Sequence, residues 1–213
     1  MPLFQVREIF ATPAWIAEHP EIEATAVDSN EIDRISQQQN PQGVLAVFEM
    51  PEVKAFKSEG QLTIALDAVQ DPGNLGTIIR LADWFGITDI IAGAGTADPF
   101  APKVVQATMG ALGRVSIHRV ENLAETLRNI PDRPIIGTFL DGTDLYGTDV
   151  TLTPAPIVVM GNEGNGISPE VEKVCNCRLK IPSFPPGRHT VESLNVAMAT
   201  GIVISELSRR IYG

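Results

Sequence analysis

The chain has 213 residues, of which 44% are apolar and 20% charged, enough to bury roughly 70% of the surface an unfolded chain exposes and unlike a disordered or fibrous protein. Its formal charge of −10 excludes broad, sequence-independent coating of nucleic acid. Two cysteines exclude a disulfide framework, no run approaches the ~18 apolar residues of a membrane span, and Arg7 and Glu8 fall where a signal peptide requires an apolar stretch; a soluble, cytoplasmic protein is expected.

Val6–Ala11 reads as a strand, and Pro13 opens a short helix carrying Trp15 and Ile16. Ser29 is the expected cap of a helix through Ile32 and Ile35, and Val44–Phe48 has the length of a buried strand. Residues 51–59 read as a polar linker, so residues 1–50 look like part of a small α/β domain. Beyond the linker the pattern repeats as strand, turn and helix. Strands are expected at 62–66, 89–92, 115–117, 134–139, 157–160 and 179–181. Helices are expected at 75–85, 101–111, 123–130 and 193–211. Short apolar strands alternating with helices imply an α/β fold with a parallel sheet. The acid is uneven, with a net of −6 in residues 1–59 and −4 in residues 60–213, so a polyanion site is expected in the second part.

Several segments are candidates for chemistry. Gly93-Ala94-Gly95-Thr96-Ala97-Asp98 starts like a dinucleotide fingerprint but ends in Asp where Gly is required, and an ordinary loop is the better reading. Met160-Gly161-Asn162-Glu163-Gly164-Asn165-Gly166 follows a buried strand, where α/β sheets place ligands, and holds Glu163 between glycines. In Asp71-Pro72-Gly73-Asn74-Leu75-Gly76-Thr77-Ile78-Ile79-Arg80 a tight turn enters a helix, with Asn74 the expected cap. Arg80 lies off the apolar stripe of Leu75, Ile78, Ile79 and Ala82, and side-chain-free Gly76 leaves it room to lie back toward the anion-attracting helix start. Ser193 lies outside any Gly-x-Ser-x-Gly elbow, and His189 alone makes no triad. Cys175-Asn176-Cys177 with His19, His118 and His189 lacks zinc spacing, so no metal is expected. Trp15 and Trp84 read as packing residues.

Taken together, Asp71–Arg80, Val159–Gly166 and Ile181-Pro182 followed by Val191–Val196 resemble the three ordered motifs of the SpoU (TrmH-like) RNA ribose methyltransferases, of the SPOUT superfamily. Residues 98–105 and 109–111 add to the resemblance, which covers residues 60–213. Residues 1–50 resemble the later part of the L30e-like substrate-binding domain that precedes this module in rRNA-modifying relatives. The resemblance implies a parallel sheet with a C-terminal trefoil knot, S-adenosylmethionine as cofactor, an rRNA or tRNA substrate, and a homodimer with the final helix at its interface. It implies a catalytic set of Arg80, Asn74, Glu163, Ser193 and Asn195. It also implies a cofactor set of Thr138, Met160, Gly161, Asn162, Gly164, Ile181, Pro182 and Leu194. A guanidinium group stays protonated at neutral pH, so electrostatic stabilisation rather than proton abstraction is the expected role of Arg80. Lys103, Arg114 and Arg188 are the expected RNA contacts on a basic rim, Arg188 within a stretch, Ser183–Thr190, longer than the family's usual loop. A base methyltransferase of the same superfamily and a non-catalytic RNA-binding or assembly factor are the alternatives.

Overall fold

The computed structural model describes residues 4–38, 40–52, 56, 60–130, 132–147, 149–186 and 191–213. It divides into two compact units, residues 1–53 and 54–213. Most of the expected linker, and Arg188 and His189, lie outside the described residues.

The first unit contains β1 (Val6–Ala11), α1 (Pro13–Glu18), β2 (Thr25–Ala26), α2 (Ser29–Ile35) and β3 (Val44–Phe48), with strand order β2-β1-β3. β1 runs parallel to β2 and antiparallel to β3. Two expectations are corrected here. Asp28, not Ser29, caps α2, because its carboxylate accepts the Glu31 N–H at 2.9 Å while Glu31 returns a bond to the Asp28 N–H at 2.8 Å. β3 is not buried, for it has one neighbour in the sheet and leaves Val47 and Phe48 exposed. β2, two residues long, is too short to show a periodicity.

The second unit is a six-stranded, wholly parallel sheet in the order β6-β5-β4-β8-β7-β9. In chain order its elements are β4 (Thr63–Leu66), α3 (Pro72–Trp84), β5 (Asp89–Ala92), α4 (Pro102–Thr108), a 3₁₀ turn (Ala111–Gly113), β6 (Ser116–Arg119), α5 (Leu123–Arg128), β7 (Ile135–Asp144), β8 (Ile157–Met160), α6 (Pro169–Glu172), β9 (Cys177–Lys180) and α7 (Val196–Tyr212). Central β4 and β8 are buried at every residue, which is why both read as unbroken apolar runs. α4 stops three residues short of expectation because Met109 (φ 50°) and Gly110 (φ 84°) turn left-handed. α7 starts at Val196 rather than Ser193, because Asn195 caps it through the N–H groups of Ala197 and Met198.

β9 is held from both sides by one strand. Leu179 is in register with Thr138 on the first leg of β7 and with Thr143 on the second. A strand residue has two edges, so the chain between 138 and 143 must cross β9. The crossing is tight: a Cβ on Gly142 would lie 2.6 Å from the Leu179 backbone carbon. Arg178 pins it, stacking 3.7 Å over the Phe139 ring and pairing with Asp141 and Glu172. From the second leg, Leu145 donates its N–H to Lys180, and its own carbonyl accepts from Arg210 near the end of α7.

α3 packs between α4 and α7. A Cβ on Gly76 would sit 2.4 Å from the Ala107 Cβ, so the bare position is required by helix contact rather than by room for Arg80. On the other flank Gly201 faces Leu81. The outward face carries Thr77, Arg80 and Trp84. Trp84, read as a packing residue, is 84% exposed, and Trp15 is half-buried against His19 with ring centroids 4.3 Å apart.

Candidate active site

After β4 the chain moves to β5 on one side, and after β8 it moves to β9 on the other, so the carboxyl ends of β4 and β8 flank a topological switch point. Such a point opens a crevice for ligands. Here the first and second motifs meet. Asp71 caps α3, its Oδ1 accepting the Asn74 N–H at 2.8 Å. This corrects the expectation for Asn74, which sits in the first turn with its side chain released toward the second motif. Pro72 at the first helical position was the signal for a cap at Asp71.

The loop after β8 is a hairpin closed by reciprocal Asn162–Gly166 backbone bonds of 2.9 Å. A Cβ on Gly161 would lie 2.2 Å from the Gly166 backbone carbon, so this approach requires glycine. Asn162 Oδ1 accepts from the N–H groups of Gly164 (2.9 Å) and Asn165 (3.0 Å), and its Nδ2 donates to the Ala68 carbonyl at 2.8 Å. The Asn162 side chain thus braces the loop and ties it to the turn after β4.

Glu163 reaches back to α3. Its carboxylate accepts the N–H of Gln70 (3.2 Å), the N–H of Asp71 (3.1 Å) and Asn74 Nδ2 (3.0 Å). Burial pushes its pKa up, but the Asn74 amide and the backbone donors outweigh that and hold it below the usual carboxylate range. The Glu163 carboxylate therefore takes the two backbone N–H groups just before α3, while Asp71 takes that of Asn74 in its first turn. The third motif joins through Asn195, whose Nδ2 donates to Asn74 Oδ1 at 2.9 Å.

Asn74, Glu163 and Asn195 thus form one hydrogen-bonded chain. Ser193 is exposed two residues before Asn195. Arg80 is exposed and makes no hydrogen bond or ion pair with the described residues. It lies about 9 Å along α3 from Asn74 and about 120° around it. Of the expected cofactor residues, Met160 ends β8, Thr138 ends the first leg of β7, Ile181 and Pro182 follow β9, and Leu194 precedes α7. The Thr138 hydroxyl donates to the Val159 carbonyl at 3.2 Å and lies 3.8 Å from the Met160 sulfur. Lys103 is exposed in the first turn of α4, on the side where β5 ends. Arg114 is not on that rim, contrary to expectation. It precedes β6, at the amino ends of the strands, and makes a two-pronged pair with Asp83 at 2.8 Å on each arm.

Sequence reasoning missed Asp67, a buried carboxylate at the end of β4 that accepts the Ser168 N–H at 2.6 Å. The Gly93–Asp98 loop is scaffold: Gly93 and Ala97 donate their N–H groups to Leu66 and Val69. Burial, with the Glu172 charge, pushes the Cys175 thiol up to about 12. Among the described residues no three His, Cys, Asp or Glu side chains converge on a metal position, and no helix is long and apolar enough to cross a membrane. A cleft of about 860 Å³ opens at the amino ends of β7, β8 and β9 and holds none of the expected site residues.

A parallel α/β sheet with polar side chains converging at its switch point defines a ligand-handling α/β protein. The sequence model of the SpoU rRNA methylase family matches residues 61–205, and the chain belongs to that family. It is 33% identical over 204 residues to the 23S rRNA (guanosine-2′-O-)-methyltransferase RlmB of Neisseria meningitidis serogroup B, covering 91% of this chain and 79% of that protein. Among solved structures it resembles a TrmH-family protein of Porphyromonas gingivalis at TM-score 0.86 and 44% identity, covering 97% of this chain and 84% of that one. It also resembles the SpoU methyltransferase AviRb of Streptomyces viridochromogenes in complex with AdoMet, at TM-score 0.81 and 26% identity, covering 99% and 85%.

Proposed function

We propose that this protein methylates a ribose 2′-hydroxyl of ribosomal RNA with S-adenosylmethionine. The observation that carries the reading is the Asn195–Asn74–Glu163 chain, which ties all three motifs together at the sheet's switch point. The cofactor's chemistry fits the residues around it. Ile181, Pro182 and Leu194 offer partly open apolar surface to a purine and a thioether chain, beside backbone donors and acceptors of the 160–166 loop. When bound, the cofactor supplies an electrophilic methyl group on a sulfonium.

The remaining work falls to the chain's own side chains. A ribose 2′-hydroxyl is a poor nucleophile until its proton leaves, and in-line transfer is chiefly a positioning task. Arg80, charged and uncommitted, stabilises the developing alkoxide or the adjoining phosphate. Lys103 takes a backbone phosphate at the rim. Ser193, exposed beside Asn195, meets the substrate or cofactor side of the pocket. Residues 60–213 form the catalytic domain, and residues 1–50 serve substrate binding.

Two finer features belong to this reading. The first is a trefoil knot, supported by β9 lying between the two legs of β7. The second is a homodimer through α4, α3 and α7. These helices leave Met109, Trp84, Met198 and Tyr212 at least 63% exposed on their outer surfaces, with Arg80 among them. A second copy there would bury the apolar groups and place Arg80 at a shared active site. The test is transfer of labelled methyl groups to rRNA, with mapping of the modified position and sedimentation of the enzyme. Methylation of a base, or RNA binding without transfer, would replace this reading.

A further inference from the structure

The outer edge of the parallel sheet carries an aromatic pair that the core does not use. Tyr146 follows the second leg of β7 and Phe184 follows β9, and these strands run parallel with Asp144 beside Lys180. Both residues therefore lie past the carboxyl ends of the strands, the end at which the three motifs meet. Tyr146 is 48% exposed and Phe184 64%, and their ring centroids lie 6.4 Å apart with the planes inclined by 38°.

The backbone beneath Tyr146 is pinned. Leu145 is fully buried, donates its N–H to the Lys180 carbonyl at 2.9 Å, and accepts from Arg210 through its own carbonyl. The Asp144 carboxylate accepts the Tyr146 N–H at 2.8 Å. Two aromatic faces held in solvent add little to the fold, but a platform fixed in advance lowers the ordering cost of binding a flat ligand.

Resting on the methyltransferase reading, we propose that Tyr146 and Phe184 form a stacking platform for an unpaired base of the RNA, next to the nucleotide that is methylated. Single-stranded RNA is recognised through bases splayed onto aromatic side chains. Phe184 lies two residues beyond Pro182 of the cofactor segment, at most about 7 Å of chain. A nucleotide adjoining the target ribose therefore comes within reach of the rings. Stacking requires no positive charge, which suits a chain whose formal charge is −10. Every base has a π-face, so the platform holds a base in place without reading its identity.

The experiment uses a single-stranded RNA oligonucleotide carrying 2-aminopurine, whose fluorescence is quenched on stacking, as the binding probe for the full chain. Phe184→Leu keeps an apolar side chain and removes the ring, whereas Phe184→Trp keeps a ring. Phe184→Leu should bind the probe about 5- to 150-fold more weakly, the range for one lost stack, and quench it less. The salt slope of binding should not change, because no phosphate contact is removed. Phe184→Trp should restore affinity and quenching, and Tyr146→Leu repeats the test from the other ring. In methyl transfer to rRNA, KM should rise by a similar factor while kcat stays within about twofold of wild type. Probe binding by Phe184→Leu and Tyr146→Leu equal to wild type overturns the proposal. So does a loss confined to S-adenosylmethionine affinity, which gives the rings to the cofactor, or a changed sedimentation coefficient, which gives them to a second copy. If the wild type transfers no methyl group yet quenches the probe through Phe184, the functional reading falls and the platform stands.

Discussion

Gly161 and Gly164 stand three residues apart in one loop, yet replacing each by alanine should have opposite consequences. At Gly161 the new Cβ would fall 2.2 Å from the Gly166 backbone carbon, 2.3 Å from the Ile167 nitrogen and 2.6 Å from the Gly166 oxygen. All three are main-chain atoms, so no side-chain rotation relieves the clash, and the hairpin must open. Opening it breaks the two Asn162–Gly166 bonds, each worth about 1 kcal/mol net, on top of roughly 1–3 kcal/mol for overpacking. A total of about 3–5 kcal/mol lowers the Tm of a chain this size by roughly 6–20 °C, unless the loop simply stays open. In that case the fold survives and the cost moves to the ligand, since Glu163 leaves the start of α3. At Gly164 the nearest atom to the new Cβ is Asn162 Oδ1 at 3.6 Å, an ordinary contact, and the change should stay within about 0.5 kcal/mol. Thermal unfolding with cofactor calorimetry on both variants decides the matter. Gly161→Ala with unchanged Tm and unchanged cofactor affinity would refute the close-approach argument.

Arg80→Ala should lower methyl transfer by about 10²–10³ while leaving Tm and cofactor affinity near wild type, since an exposed side chain opens no cavity; stopped-time assays with calorimetry check both halves. The Arg209 and Arg210 guanidinium groups hold the Glu206 carboxyl down at about 2, so its contribution to the end of α7 is present above its unfolded value of 4.5 and is lost as pH falls toward 2. Unfolding followed against pH should show wild type losing stability across that window and Glu206→Gln losing less of it. Lys103→Ala should reduce the salt slope of RNA binding by about 0.7, the share of one phosphate contact on a single strand. Arg114→Ala should leave that slope unchanged, because Asp83 already holds its guanidinium near the amino ends of the strands.

The parallel α/β class, the order of the second unit's strands and of its helices other than the one-turn α6 (Pro169–Glu172), and the three polar motifs were legible in the sequence. Apolar runs of four or five residues, such as Ile157–Met160, record burial on both faces of a strand, and Gly/Pro punctuation marks where each run stops. The chemistry of Asn74, Glu163 and Asn195 was legible as residue type, though not as contact. Their separations of 89 and 121 residues close only when β8 settles beside β4 and α7 beside α3, and no local pattern encodes strand order. The caps went astray by one to three residues wherever two polar candidates stood together, as with Asp28 beside Ser29 and Asp71 before Asn74. Local propensity ranks such neighbours nearly alike, and the side chain that reaches the open N–H decides. Gly76 and Arg114 show the same limit. The missing Cβ of Gly76 answers to Ala107, and the charge of Arg114 to Asp83, partners that only folding delivers. The passage of β9 between the legs of β7 lies furthest from the sequence. It depends on the order in which segments cross in space, and Phe139, Asp141 and Glu172 acquire a common partner in Arg178 only once that crossing is made.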